Sequence, residues 1–194
     1  MMSKGFPRSS ASPSDRLIDA LLAAPARLGR VRILAVDGPS GAGKSTLAAQ
    51  VADRLRARGC RTELVSTDAF ATWDDPVAWW PRLVDGVLRP LADGVDGAYR
   101  RMDWSTGTPR PGELVRVPVP DVLVLEGVSS GRASVRPLLS HLCWLSGGSA
   151  AQRLARAVAR DGEAAYAELS RWQRFERGWF AVDGTPEAAD TRLS

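Results

Sequence analysis

Residues 38–46 read GPSGAGKST, and they follow VRILAVD, an apolar run that closes on an acid. The spacing of Gly38, Gly43, Lys44 and Ser45 constrains this chain more than any other feature. Glycines at these places let backbone N–H groups turn toward phosphate oxygens, the Lys44 ammonium reaches the β- and γ-oxygens, and the Ser45 hydroxyl is placed to ligate Mg²⁺. Of the 26 basic side chains 24 are arginines, and the only other lysine, Lys4, lies in the N-terminal tail. A compact ammonium fits a tight loop where a flat guanidinium fork does not. The alternative is a glycine-rich turn with an incidental lysine, and the flanks speak against it. Residues 31–36 have the aliphatic character of a buried parallel strand. Over 45–58, Leu47, Ala48, Val51, Ala52 and Leu55 share one helical face. A loop between a strand end and a helix N-terminus favours an anion. Gly38, Ser40, Gly41, Ala42, Gly43, Lys44, Ser45 and Thr46 are therefore the predicted nucleoside triphosphate site.

The remaining punctuation extends the same pattern. Ser12-Pro13-Ser14-Asp15 has the form of a helix start, with a helix expected to residue 24, after a tail over 1–11. Further strands are expected over 62–66, 122–126 and 142–145. Short apolar runs alternating with helices predict a three-layer α/β fold, a P-loop NTPase with a central parallel sheet and helices on both faces. Residues 12–194 form one expected domain, with an insertion about 69–115 and a lid about 150–180. The insertion is too long for a plain connection and is expected to hold helices over 76–91 and an irregular arm.

Composition narrows the function classes. A chain 44% hydrophobic and 25% charged is ordinary globular material. No apolar run approaches the ~20 residues of a membrane span, and the N-terminus lacks the apolar centre of a secretory signal, so a soluble cytoplasmic protein without membrane partners is expected. Cys60 and Cys143 make neither a redox pair nor a metal site. His141 opens the run HLCWL and reads as a strand start. The net charge of +4 comes from scattered arginines, which suits an anionic small molecule and not nucleic acid. A homo-oligomer and the choice between ATP and GTP stay open.

In open α/β sheets ligands bind beyond the carboxyl ends of the strands, which brings Lys44, Asp68 and Glu126 to one crevice. Phosphoryl transfer to a hydroxyl needs a carboxylate to take the proton and a metal to neutralise charge. Asp68 suits the base, with Lys44 as its catalytic partner, and Glu126 suits the metal through water. The alternatives are a helix cap for Asp68 and a strand-end acceptor for Glu126. Among the aromatics of the insertion, Trp73 and Tyr99, with Asp74 and Arg100 beside them, are the candidate acceptor contacts, against core packing as the competing account. Arg153, Arg156 and Arg160 fall on one helical stripe, which suits either a lid over phosphates or a solvated face.

These residues resemble the uridine kinase-like branch of P-loop kinases over about 31–190. The resemblance is carried by GPSGAGKST, by STDAF after the second strand, and by WDDP, VLVLEG and RLARAVARD with Trp172 downstream. It implies ATP and Mg²⁺ as cofactors, Asp68 as the catalytic base and Asp74 as a ligand of ribose hydroxyls. Ala71 stands where the family has a tyrosine, Asp75 where it has a histidine, and Ala157 where the lid has its last arginine. A histidine segment for the pyrimidine has no counterpart, and ADTRLS stands where a final strand and part of an adenine loop are expected. The resemblance thus implies an ATP-dependent kinase with an alcohol acceptor, a nucleoside first. An antibiotic or sugar-like alcohol is the alternative acceptor, and a nucleotide-binding regulatory module the alternative class.

Overall fold

The computed structural model describes residues 12–72, 76–105 and 108–194, so the tail expected over 1–11 lies outside the described residues. The chain enters through α1 (Pro13–Ala23), where the Ser12 hydroxyl accepts from the Asp15 N–H at 3.2 Å and Pro13 takes the first turn. Strand β1 (Arg32–Asp37) delivers the glycine-rich loop, and α2 (Lys44–Ala57) begins at the lysine itself. Strand β2 (Thr62–Ser66) ends in a single 3-10 turn, Thr67–Ala69.

The insertion is more regular than its sequence suggests. Helices α3 (Trp80–Leu83) and α4 (Arg89–Ala92) are joined by a π-turn, Val84–Leu88, into one helical stretch. The expected irregular arm is a ribbon instead. Strands β3 (Gly97–Asp103) and β4 (Arg110–Val117) pair antiparallel, with a bulge between Arg100 and Met102. Pro109, Pro111 and Gly112 hide it in the sequence. A strand paired on one side only tolerates proline, and among the described residues β4 pairs with β3 alone.

Strands β5 (Val122–Glu126) and β6 (His141–Leu145) return to the sheet, followed by α5 (Ala150–Asp161), α6 (Tyr166–Asp183), α7 (Thr185–Ala188) and β7 (Thr191–Leu193). The order β2-β5-β1-β6-β7 is parallel throughout. Strand β7 is the final strand, formed by the TRL of the last residues beside β6, where Cys143 lies opposite Thr191. His141 starts β6 and its Nε2 lies 2.9 Å from Thr191 Oγ1.

The period-2 alternation of β1 and β5 divides the core between the two faces of the sheet. Leu34, Val36, Val122 and Val124 face α1 and α2, meeting Leu17, Ile18, Leu21, Val51 and Leu55. Ile33, Ala35, Leu123 and Leu125 face the insertion, meeting Phe70, Trp79, Leu83, Leu88 and Leu91. Each such aliphatic side chain contributes about 1.5–3 kcal/mol by leaving water. The Arg132 guanidinium lies 5.3 Å from the ring centres of both Trp80 and Trp179, tying insertion to α6. Among the described residues no helix is long and apolar enough to cross a membrane.

Candidate functional site

The glycine-rich loop is shaped by close approach. Gly43 has φ +95°, and a Cβ on Gly41 would lie 2.3 Å from the Arg153 carbonyl oxygen, so α5 rests directly on the loop backbone. Lys44 is buried and its Nζ donates to the Pro39 carbonyl at 3.1 Å. Behind it the Asp37 carboxylate accepts from the Gly38, Ser129 and Gly131 N–H groups at 2.7, 3.2 and 2.8 Å. Burial pushes this carboxyl up to about 7, against the pull of those donors and of the Lys44 ammonium.

Ser45 Oγ lies 3.3 Å from both oxygens of Glu126, the last residue of β5. Burial raises the Glu126 pKa; the Ser66 hydroxyl, Lys44 and Ser45 oppose that, and the charge of Asp68 adds to it. Ser45 and Glu126 offer oxygen donors alone, the set a hard cation such as Mg²⁺ prefers. Among the described residues no three metal-binding side chains cluster.

Two cavities adjoin the loop, with no lining residue in common. One, about 330 Å³, is lined by Ser40, Asp68, Thr72, Trp104, Arg160 and Trp172 among others. The second, about 550 Å³, is lined by Gly43, Thr46, Gln50, Gly147, Gly148 and Ser194 among others. Asp68 is exposed to the first, and its own N–H is capped by the Ser66 hydroxyl at 3.3 Å. Ser66, then, is the cap of the turn that carries Asp68.

Of the predicted acceptor contacts, Trp73 and Asp74 lie outside the described residues. Tyr99 is buried in the core cluster, its ring centre 4.7 Å from that of Phe70. Arg100 is exposed on the ribbon and donates to the Gly112 carbonyl at 3.0 Å. The aromatic side chains that do line the Asp68 cavity are Trp104, at the ribbon's end, and Trp172 of α6.

The arginine stripe divides its work. Arg153 donates to the carbonyls of Ser146, at 3.2 Å, and of Gly148; Arg156 donates to those of Gly41, at 2.8 Å, and of Gly147. Arg160 pairs with Asp161 at 2.7 Å and also feels the charges of Asp68 and Glu126. The three guanidinium groups thus donate to different acceptors, while Arg153 still feels the charge of Arg156. The structure gathers Lys44, Ser45, Asp68, Glu126 and Arg160 about one crevice, and leaves Tyr99 and Arg100 elsewhere.

Sequence reasoning passed over Asp37, Trp104, Glu176 and the Gly147-Gly148 turn. The signal for Glu176 was available in LSRWQRFE, where residues 169, 172 and 176 return to one helical face.

No family model matches this chain, and no curated protein matches it in sequence. Among solved structures it is similar to a possible uridine kinase from Bacillus stearothermophilus, with TM-score 0.68 and 20% identity over 93% of this chain and 97% of that one. It is also similar to a candidate fructose transport system kinase from a Silicibacter species, with TM-score 0.64 and 21% identity over 95% of this chain and all of that one. What this chain shares with both structures is the fold, a central parallel sheet between layers of helices.

Proposed function

We propose that this chain is an ATP-dependent phosphotransferase that moves the γ-phosphate to a hydroxyl of a small polyhydroxylated molecule, a nucleoside first. The observation that carries the reading is that Asp68 and Ser40 line one cavity. A carboxylate exposed to a cavity that neither Thr46 nor Gln50 lines can meet an acceptor without displacing a nucleotide held beside those two residues.

In this reading the triphosphate lies along the loop N–H groups at the start of α2, with Lys44 on its outer oxygens. The nucleotide base takes the cavity of Thr46, Gln50, Gly147 and Gly148. Mg²⁺, when bound, neutralises charge on the transferring group. Ser45 and Glu126 hold it. The acceptor enters the other cavity, between Trp104 and Trp172, and Asp68 takes the proton of its hydroxyl as the oxygen attacks phosphorus. Arg160 adds positive charge on the same side. The volume of about 330 Å³ and the aromatic walls suit a sugar-sized ring with a flat substituent.

The test is ADP formation across uridine, cytidine, D-fructose and an aminocyclitol, run beside Asp68→Asn. ADP release that depends on one of these acceptors and is lost in the variant supports the reading and identifies the acceptor. Tight MgATP binding with no acceptor-dependent turnover from any of them would favour a regulatory nucleotide-binding module.

A further inference from the structure

Glu176 lies on α6 and is 1% exposed. Its carboxylate accepts from the Ser40 N–H at 3.0 and 3.1 Å and also from the Ser40 hydroxyl, and the Trp172 side chain hydrogen-bonds to it. Three donors from two elements thus end on one buried carboxylate, with the Lys44 ammonium near enough to act on its charge. The chemistry suits a carboxylate alone. An amide N–H, a hydroxyl already aimed at it and an indole N–H all donate, so the group between them has to accept at every turn.

Both partners of Glu176 face the Asp68 cavity, which Ser40 lines from the phosphate loop and Trp172 from α6. Leu169 of α6 lines it too, and Leu169, Trp172 and Glu176 recur at the spacing of one helical face. The same stripe that walls the cavity therefore ends on the phosphate loop. Glu176 itself, buried beneath, reaches the reaction only through the two residues it holds.

We propose that Glu176 is a positioning residue for phosphoryl transfer, which locks Ser40 of the phosphate loop and Trp172 of the cavity wall into one hydrogen-bonded unit. Phosphate settling into the loop is then felt at the wall against which the acceptor lies. The inference rests on the kinase reading above and extends it to the question of how loop and cavity are kept in register.

The test needs no knowledge of the acceptor. The whole chain is labelled with fluorotryptophan, the Trp172 resonance is assigned by its loss in Trp172→Phe, and fluorine NMR is recorded with and without the magnesium complex of AMP-PNP. In the wild type the nucleotide moves the Trp172 resonance. In Glu176→Gln, which keeps the shape but brings donors to a place where three donors already converge, AMP-PNP binds and the Trp172 shift is lost. Ser40→Ala, which removes the hydroxyl's bond to Glu176, keeps the backbone N–H bond and leaves the α6 packing alone, diminishes the same shift in part. A merely structural role would lower the melting temperature and disturb the other tryptophans alike, without singling out this response. An undiminished Trp172 shift in both variants overturns the proposal while leaving the kinase reading intact. A wild-type chain that binds no nucleotide overturns the kinase reading, and this proposal falls with it.

Discussion

The Arg156 guanidinium of α5 donates from Nε to the Gly41 carbonyl oxygen at 2.8 Å, so α5 is bonded to the backbone of the glycine-rich loop. The same side chain also reaches Gly147, at the rim of the cavity assigned to the nucleotide base. Arg156→Ala should cut MgATP affinity about tenfold, one charged hydrogen bond discounted for exposure, and leave the melting temperature nearly unchanged. Hydrogen exchange over 150–161 should rise in the variant. Wild-type protection together with wild-type affinity would reduce this contact to a surface detail.

Glu126 stands 3.3 Å from Ser45 at the end of β5. If it holds the metal, Glu126→Gln should raise the Mg²⁺ concentration needed for half-maximal turnover by about 10–100-fold, as losses around a metal site usually do. A magnesium titration at fixed ATP reads this directly. An unchanged magnesium curve would return Glu126 to the role of a strand-end acceptor for the Ser45 and Ser66 hydroxyls.

Lys44 is a cation common to three buried carboxylates, Asp37, Glu126 and Glu176, and its charge lowers the pKa of each against the rise caused by burial. Lys44→Ala should therefore do two things. Turnover falls by about 10²–10³-fold through loss of a charged contact to the transferring phosphate. Stability falls too, and by less in acid, where the carboxylates are neutral and need no cation. Melting temperatures of both proteins across pH separate this from a simple packing loss.

The fold was legible to the extent that it is written in local pattern. The glycine loop, the aliphatic runs of β1 and β5 and the Ser12 cap each carry their own signal, and each element forms where that signal stands. The β3–β4 ribbon was not legible, because Pro111 and Gly112 are poor strand residues in isolation and are tolerated only on a strand paired on one side. Glu176 was obscure for a different reason. The 169, 172, 176 spacing shows the face of α6 it shares with Trp172, but its other partner, Ser40, is 136 residues away, and no spacing within the chain announces that tertiary contact. The bond between Asp37 and the 129–131 turn is hidden in the same way, since a strand-end aspartate reads alike whether it faces solvent or a buried loop.

That buried aspartate sets a pH dependence. The Asp37 carboxyl titrates near 3.8 when unperturbed and at about 7 in the folded chain. Between those values the folded protein holds a proton that the unfolded chain has released. The contribution of Asp37 to stability is therefore full below the window and is lost as pH rises through it. The nucleotide-free protein should melt at a lower temperature on the alkaline side of about 7 than within the window. Asp37→Asn should flatten that slope, while costing about 1–3 kcal/mol because an amide cannot serve three N–H donors. A slope that survives the substitution would move the effect to Glu126 and Glu176.

Asp68 carries the reaction in the proposed function, and its surroundings make the role separable from stability. The side chain is exposed to the cavity, and the cap of its turn is the Ser66 hydroxyl, so Asp68→Asn removes no structural bond that the turn depends on. An amide keeps the shape and cannot take a proton from an acceptor hydroxyl at neutral pH. Nucleotide affinity and melting temperature should therefore stay near wild type while acceptor-dependent ADP formation falls about 10²–10⁴-fold. Calorimetry with MgADP and a coupled ADP assay on one preparation measure both quantities. Because Asp68 and Arg160 share the cavity and Arg160 feels its charge, Arg160→Ala should also lower turnover. Near-normal phosphorylation by Asp68→Asn would refute this assignment and make Asp74 the next carboxylate to substitute.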